Sequence, residues 1–281
     1  MRIVPFLLVL LLFACAPDTS KKATELDIKP NEKIAEVNLT VAEGKRLIAK
    51  GICNRPDVKR KLKSGIIVIT RGTTNTYIAE EMAGLSAEHG QFVTGRVTPS
   101  SKSLKSASNQ TSEIVLIDGK KVELSYIHAL HKMSNDDIIF KGANMLNYEL
   151  KQAAVCIGHK TGGTTGAFRP YINKNKIKLI VPIGLEKQVW GDLEEYEQLL
   201  KKQSISHTGI PKVWVHQRAE IFTEIEAMKT FGKVEVIPFA AGGIAGREGG
   251  ISLAVYGDST EVNKVIKVVS QVQGEKLFII N

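Results

Sequence analysis

A chain of 281 residues, 43% hydrophobic and 24% charged, has ordinary globular composition, which excludes a disordered or fibrous protein and supplies core for one large or two modest domains. Lys and Arg outnumber Asp and Glu by 38 to 29, a formal charge of +9 that favours anionic ligands or a membrane surface. The lysines are scattered and aromatic residues make up only 6%, so no stacking platform is visible and nucleic acid is not an expected partner.

Met1-Arg2 is a short basic start, and residues 3–13 form an apolar run too short to span a bilayer. Leu12-Phe13-Ala14-Cys15 follows and resembles a bacterial lipobox. The expectation is a signal peptide over 1–14, lipid attachment at Cys15 and a solvated tether over 15–39. That places the chain in the bacterial cell envelope, lipid-anchored outside the cytoplasm, with the membrane as a partner. A plain cleaved signal and an uncleaved anchor are the alternatives.

Thr40-Val41-Ala42-Glu43 has the form of a capping box and starts a helix that runs to about residue 51. A short helix follows over 54–64, then a strand at 66–70, a helix at 74–85 and a strand at 92–97. Residues 98–112, rich in Ser, Lys and Asn, read as a loop. A hairpin over 113–124 turns at Asp118-Gly119. Next come a helix at 126–133, strands at 138–140 and around Val155, a helix at 164–174, a strand at 177–183 and an acidic helix at 192–202. This alternation predicts a mostly parallel, Rossmann-like α/β sheet with helices on both faces. From residue 213 the order changes to strand 213–215, helix 219–231, strands 234–239 and 251–256, helix 259–273 and strand 276–280. That βαββαβ order predicts a ferredoxin-like α+β unit. With a linker near 203–210, the domains become 40–205 and 210–281.

Three stretches would follow strands and so sit where ligands of open α/β sheets bind. They are Arg71-Gly72-Thr73-Thr74-Asn75, Lys141-Gly142-Ala143-Asn144, and His159-Lys160-Thr161-Gly162-Gly163-Thr164-Thr165. Small residues opening into a helix aim unpaired N–H groups at one point and attract anions. Two such turns in one parallel sheet would face the same edge. The candidate ligand contacts are Arg71, Gly72, Thr73, Thr74, Asn75, Lys141, Gly142, Asn144, Lys160, Gly162, Gly163, Thr164 and Thr165, with His159 and Lys160 as weak catalytic candidates. His128 and His131 share a helical face but lack a third ligand, and no CxxC spacing exists. No metal or cofactor is therefore expected. Pairing of Cys53 with Cys156 is left open.

The order of these three loops resembles the superfamily of ribose-5-phosphate isomerase A, glucosamine-6-phosphate deaminase and the CoA transferases. Its GTGST element looks like Arg71-Gly72-Thr73-Thr74-Asn75, its DGADE element like Lys141-Gly142-Ala143-Asn144-Met145, and its KGGGG element like Lys160-Thr161-Gly162-Gly163-Thr164. The resemblance covers residues 64–187 and implies the fold and a phosphate-cradling crevice. The isomerases' two Asp become Lys141 and Asn144, and Arg169-Pro170 stands where their base, a Glu, is followed by a basic residue. Neither Arg nor Asn supplies a base, so ribose-phosphate isomerisation is not expected. The nucleophilic Glu of the transferases has Glu186 as its nearest candidate, in a sequence context that does not match.

The expected function is binding of a small phosphorylated or carboxylated ligand. An enzyme of altered chemistry on the same fold, using His159 or Lys160, is one alternative. A non-catalytic surface assembly protein is another, and self-association into a homo-oligomer is compatible with the sequence.

Overall fold

The structure is a computed structural model, and it describes residues 29–86, 90–94, 111–202 and 212–278. The expected signal, the expected lipidation site at Cys15, most of the expected loop at 98–112 and the expected linker at 203–210 lie outside the described residues. Asn31–Asn281 forms one compact unit. No helix among the described residues is long and apolar enough to cross a membrane.

The fold is mixed α/β around a six-stranded, mostly parallel sheet. Its strands are β2 (Ile66–Ile69), β3 (Ile114–Ile117), β4 (Lys120–Val122), β5 (Ile138–Phe140), β8 (Lys178–Pro182) and β10 (Ala219–Phe222), in the order β10-β8-β5-β2-β3-β4. The first four in that order run parallel, and the β3–β4 hairpin adds two antiparallel strands at one edge. Every residue of β2 and β5 is buried, as expected for a sheet covered on both faces.

Helices α1 (Val41–Asn54), α2 (Pro56–Lys63), α3 (Thr73–Ala83), α4 (Tyr126–Lys132) and α5 (Gly163–Asn175) start within a few residues of the positions read from sequence. The α1 capping box forms: Thr40 Oγ1 accepts from the Glu43 N–H at 3.3 Å, and Glu43 Oε2 accepts from the Thr40 N–H at 2.7 Å. Arg46 ties α1 to α3 and to the chain's end through Glu80 at 2.6 Å, Glu81 at 3.1 Å and Glu275 at 2.8 Å.

The C-terminal part differs from the ferredoxin-like expectation. Residues 219–231 are not one helix; they divide into β10 and the short α7 (Glu224–Lys229). Thr223 breaks the run by capping α7, accepting from the Ile225 N–H at 3.2 Å. β10 then joins the large sheet beside β8. The strand expected at 213–215, β9 (Lys212–Val215), pairs with β7 (Gln152–Ile157), which pairs with β6 (Met145–Asn147) in a separate antiparallel sheet.

The two remaining expected strands, β11 (Val234–Ala241) and β12 (Ile251–Asp258), acquire a third from the stretch read as tether: β1 (Glu32–Leu39) lies antiparallel to β12. Only Val37 and Leu39 of β1 are buried, so a period-two signal spans just the strand's end. Residues 273–278, where the last strand was expected to begin, are not strand. The long α8 (Ser259–Val272) packs on β1 and β12. Meanwhile α7 sits on α1, where Gly51 allows close approach: an added Cβ would lie 2.6 Å from Ala227 Cα. Between β8 and the linker lie a 3₁₀ turn (Leu185–Lys187) and α6 (Leu193–Lys201).

Candidate functional site: a crevice at the carboxyl edge

The parallel strands β2, β5, β8 and β10 present their carboxyl ends on one edge, and the first two candidate loops leave from it. Asn75 fixes this edge from within: its Nδ2 donates to Thr70 O at 2.8 Å and to Phe140 O at 3.1 Å, joining the ends of β2 and β5. Asn75 is thus a fully buried structural residue. Gly72 donates its N–H to Phe92 O at 2.9 Å, and Thr74 is buried beside it, so most of this loop is used internally. Thr73 begins α3 and is half-buried.

Arg71 pairs with Glu113 at 3.2 Å, the residue before β3, which runs the other way and therefore delivers its first residues to the same edge. That carboxylate is only 8% exposed. Sequence reading passed over Glu113 because a charged residue ahead of an apolar strand normally reaches solvent. The register Ile69–Ile114 explains its burial.

Lys141 directly follows β5 and is 8% exposed, yet its ammonium has no hydrogen bond or ion pair with a described residue. Burial lowers its pKa to about 8, against the opposing pull of Glu113. On the next residue, Gly142 O lies 3.2 Å from His216 Nε2. His216 follows β9 and is 5% exposed; burial first, then the charges of Lys141 and Arg169, hold its pKa down to about 3. The imidazole is therefore neutral, and with Nε2–H donating to Gly142 O its Nδ1 is a bare acceptor without a partner. No motif marked His216; its only signal was a polar residue ending a strand.

The third loop divides. Since α5 leads into β8 within three residues, its N-terminus must lie toward the carboxyl edge. However, β7, the strand before it, belongs to the small antiparallel sheet, so the two glycine-containing turns do not follow strands of one parallel sheet. His159 and Lys160 are exposed, His159 bonding locally to Thr161 Oγ1 at 3.0 Å. Gly162 adopts φ +79° against the Trp214 ring, Gly163 opens α5, and Thr164 is half-buried. Thr165 is 4% exposed with its hydroxyl unpartnered. Asn144 is exposed, and its Oδ1 accepts from the Cys156 N–H at 2.9 Å, which removes it from the crevice.

Arg169 stacks over Trp214 at 5.1 Å, donates from Nη2 to Val215 O at 3.1 Å, and leaves Nε–H unpartnered. Thr165, Arg169 and His216 line one cavity of about 10 Å³, together with Phe168, Ile172 and Leu179. That is room for one water or one ligand oxygen. Three buried polar atoms without protein partners are concentrated in one place, where interiors normally satisfy such groups. Lys141 is not part of that cavity's lining, and the Arg169 guanidinium also pairs with Glu197 at 3.7 Å, so what the cavity itself offers is three unpartnered polar atoms: Thr165 Oγ1, Arg169 Nε–H and His216 Nδ1.

A second cluster lies further along the same edge. Glu224 is buried after β10, its Oε2 accepting from the Leu185 N–H at 3.0 Å. Burial and the charge of Glu186 hold its carboxyl well above the usual range. Lys45 of α1 is buried in the same cluster, its pKa lowered to about 8 by burial, then by Lys187. Gly44 makes room, since a Cβ there would meet Glu224 Oε1 at 2.6 Å.

Elsewhere, His128 and His131 have separate partners, Ser125 Oγ at 2.9 Å and Tyr171 Oη at 3.2 Å. Cys53 and Cys156 are unpaired thiols. No group of three or more His, Cys, Asp or Glu among the described residues is arranged to hold a metal ion. In comparisons with protein-family models, curated proteins and solved structures, no match to the chain was found.

Proposed function

We propose that this chain is an exported lipoprotein that binds a small phosphorylated or carboxylated ligand in the carboxyl-edge crevice, without ribose-phosphate isomerase activity. The observation that carries the reading is Lys141: a cation on a side chain only 8% exposed, with no direct counter-ion among the described residues, is costly unless a site uses its charge. Thr165, Arg169 Nε–H and the start of α5 supply neutral and charged donors for the ligand's remaining oxygens. The likeness to the isomerase and transferase superfamily fits a phosphate-cradling crevice, and Lys and Asn at positions 141 and 144 argue against the isomerases' proton transfer. The address rests on Met1-Arg2, the apolar run and the lipobox-like Leu12-Phe13-Ala14-Cys15.

Thermal-shift and calorimetric titration with inorganic phosphate, sugar phosphates, 2-oxo acids and acyl-CoA test the binding. The expected result is saturable stabilisation by at least one anion class, reduced in Lys141→Met and Thr165→Val. Equal, weak responses in all three proteins would remove the case. Labelling with a radioactive fatty acid in a bacterial host tests the anchor, with Cys15→Ala as the control.

A further inference from the structure

We propose that Lys141 is a Schiff-base lysine, and that the ligand class is a small carbonyl compound carrying a carboxylate or phosphate. This rests on the binding reading above and adds a covalent step to it. The amine follows a fully buried strand, has no hydrogen bond or ion pair with a described residue, and belongs to a side chain that keeps 8% exposure. A lysine serving only as a charge would gain from a paired carboxylate, whereas here Glu113 is engaged by Arg71 at 3.2 Å. His216 adds a neutral imidazole with an unpartnered Nδ1, and the residue lines a cavity together with Thr165 and Arg169. Burial, which lowers the lysine pKa to about 8, leaves a sizeable neutral fraction near pH 7.

The step balances without a redox partner. The ammonium gives one proton to solvent water, since His216 is held neutral and Glu113 is engaged by Arg71. The amine nitrogen then attacks the carbonyl carbon, the C–N bond forms, and the oxygen takes up a proton to give a carbinolamine. Loss of that oxygen as water, carrying the nitrogen's second proton, leaves a neutral imine, and uptake of the first proton gives the iminium. The net change is one ammonium and one carbonyl to one iminium and one water, with charge conserved. The iminium keeps a cation beside the ligand's anionic group, which Thr165, Arg169 and the start of α5 would hold. Lys160, the sequence's own candidate, is exposed and lacks this setting.

The test is reductive trapping on the full-length chain with sodium cyanoborohydride as hydride source. Pyruvate probes a carboxylated carbonyl and pyridoxal 5′-phosphate a phosphorylated one, with intact mass and peptide mapping as readouts. We expect a single adduct at Lys141 from at least one probe, formed roughly tenfold faster near pH 7 than at any surface lysine. It should be absent in Lys141→Met and in Lys141→Arg, which keeps the charge but cannot form an imine. Adducts spread over surface lysines with Lys141 unlabelled would overturn the proposal. If such a protein were still stabilised by lactate or inorganic phosphate, the binding reading would stand and only the covalent step would fall. If it were stabilised by neither, both would fall.

Discussion

Replacing Lys141 by Met should make the protein more stable while abolishing ligand binding. The wild-type ammonium is buried without a direct partner, and its pKa falls from 10.5 to about 8. Each tenfold change in proton affinity is worth about 1.4 kcal/mol, so the charged form costs at most about 3 kcal/mol near pH 7. Partial relaxation around the charge brings the expected gain to about 2 kcal/mol, or roughly 4–8 °C in melting temperature for a unit of this size. A lysine with a depressed folded-state pKa contributes stability that is present above its unfolded value and is lost as pH falls through the folded one. The advantage of Met should therefore be full below pH 8 and should vanish as pH rises past 10.5. Urea denaturation of both proteins across that range reads the difference directly. A Lys141→Met variant that is less stable than wild type at neutral pH would make the lysine a structural residue rather than a site residue held at a cost.

Glu224→Gln keeps an acceptor for the Leu185 N–H but removes a carboxylate whose pKa is raised by burial and Glu186. A raised carboxyl stabilises fully below its ordinary value of 4.5 and loses that stability as pH climbs, so the two proteins should match near pH 4 and the variant should lead by more than about 1 kcal/mol near pH 9. Gly162→Ala combines an unfavourable φ of +79° with a Cβ 2.9 Å from the Trp214 ring, and should cost about 2–3 kcal/mol and shift Trp fluorescence. In the α1 capping box Thr40→Ala should cost about 1 kcal/mol by chemical denaturation. Glu43→Ala should cost more, since Glu43 also accepts from the Gly274 N–H at 2.8 Å and so anchors the segment after α8.

The parts of the fold that sequence reading found are those whose signals are local. The Thr40–Glu43 capping box, the fully apolar β2 and β5 and the turn at Asp118-Gly119 are each decided within a few residues. Strand partnership is not local. Val213-Trp214-Val215 is a strand by composition, but only tertiary packing sends it to β7 rather than into a C-terminal unit. Likewise β1 offers too few buried positions to announce itself before β12 is known to lie beside it. The candidate site divides in the same way. Arg71, Lys141 and Thr165 were legible because each belongs to a glycine-containing stretch that follows a strand. Glu113 and His216 were not, because each acquires its place from a strand register. Asn144 and Asn75 had the right motif context, but Asn144 Oδ1 accepts from a backbone N–H and Asn75 Nδ2 is spent on backbone carbonyls.

Occupation of the site at Lys141 by a small anion is open to mass spectrometry of metabolites co-purifying with the wild-type chain and with Lys141→Met, prepared in parallel. A phosphorylated or carboxylated compound should be enriched with wild type and lost from the variant. The same compounds at equal levels in both preparations would contradict it.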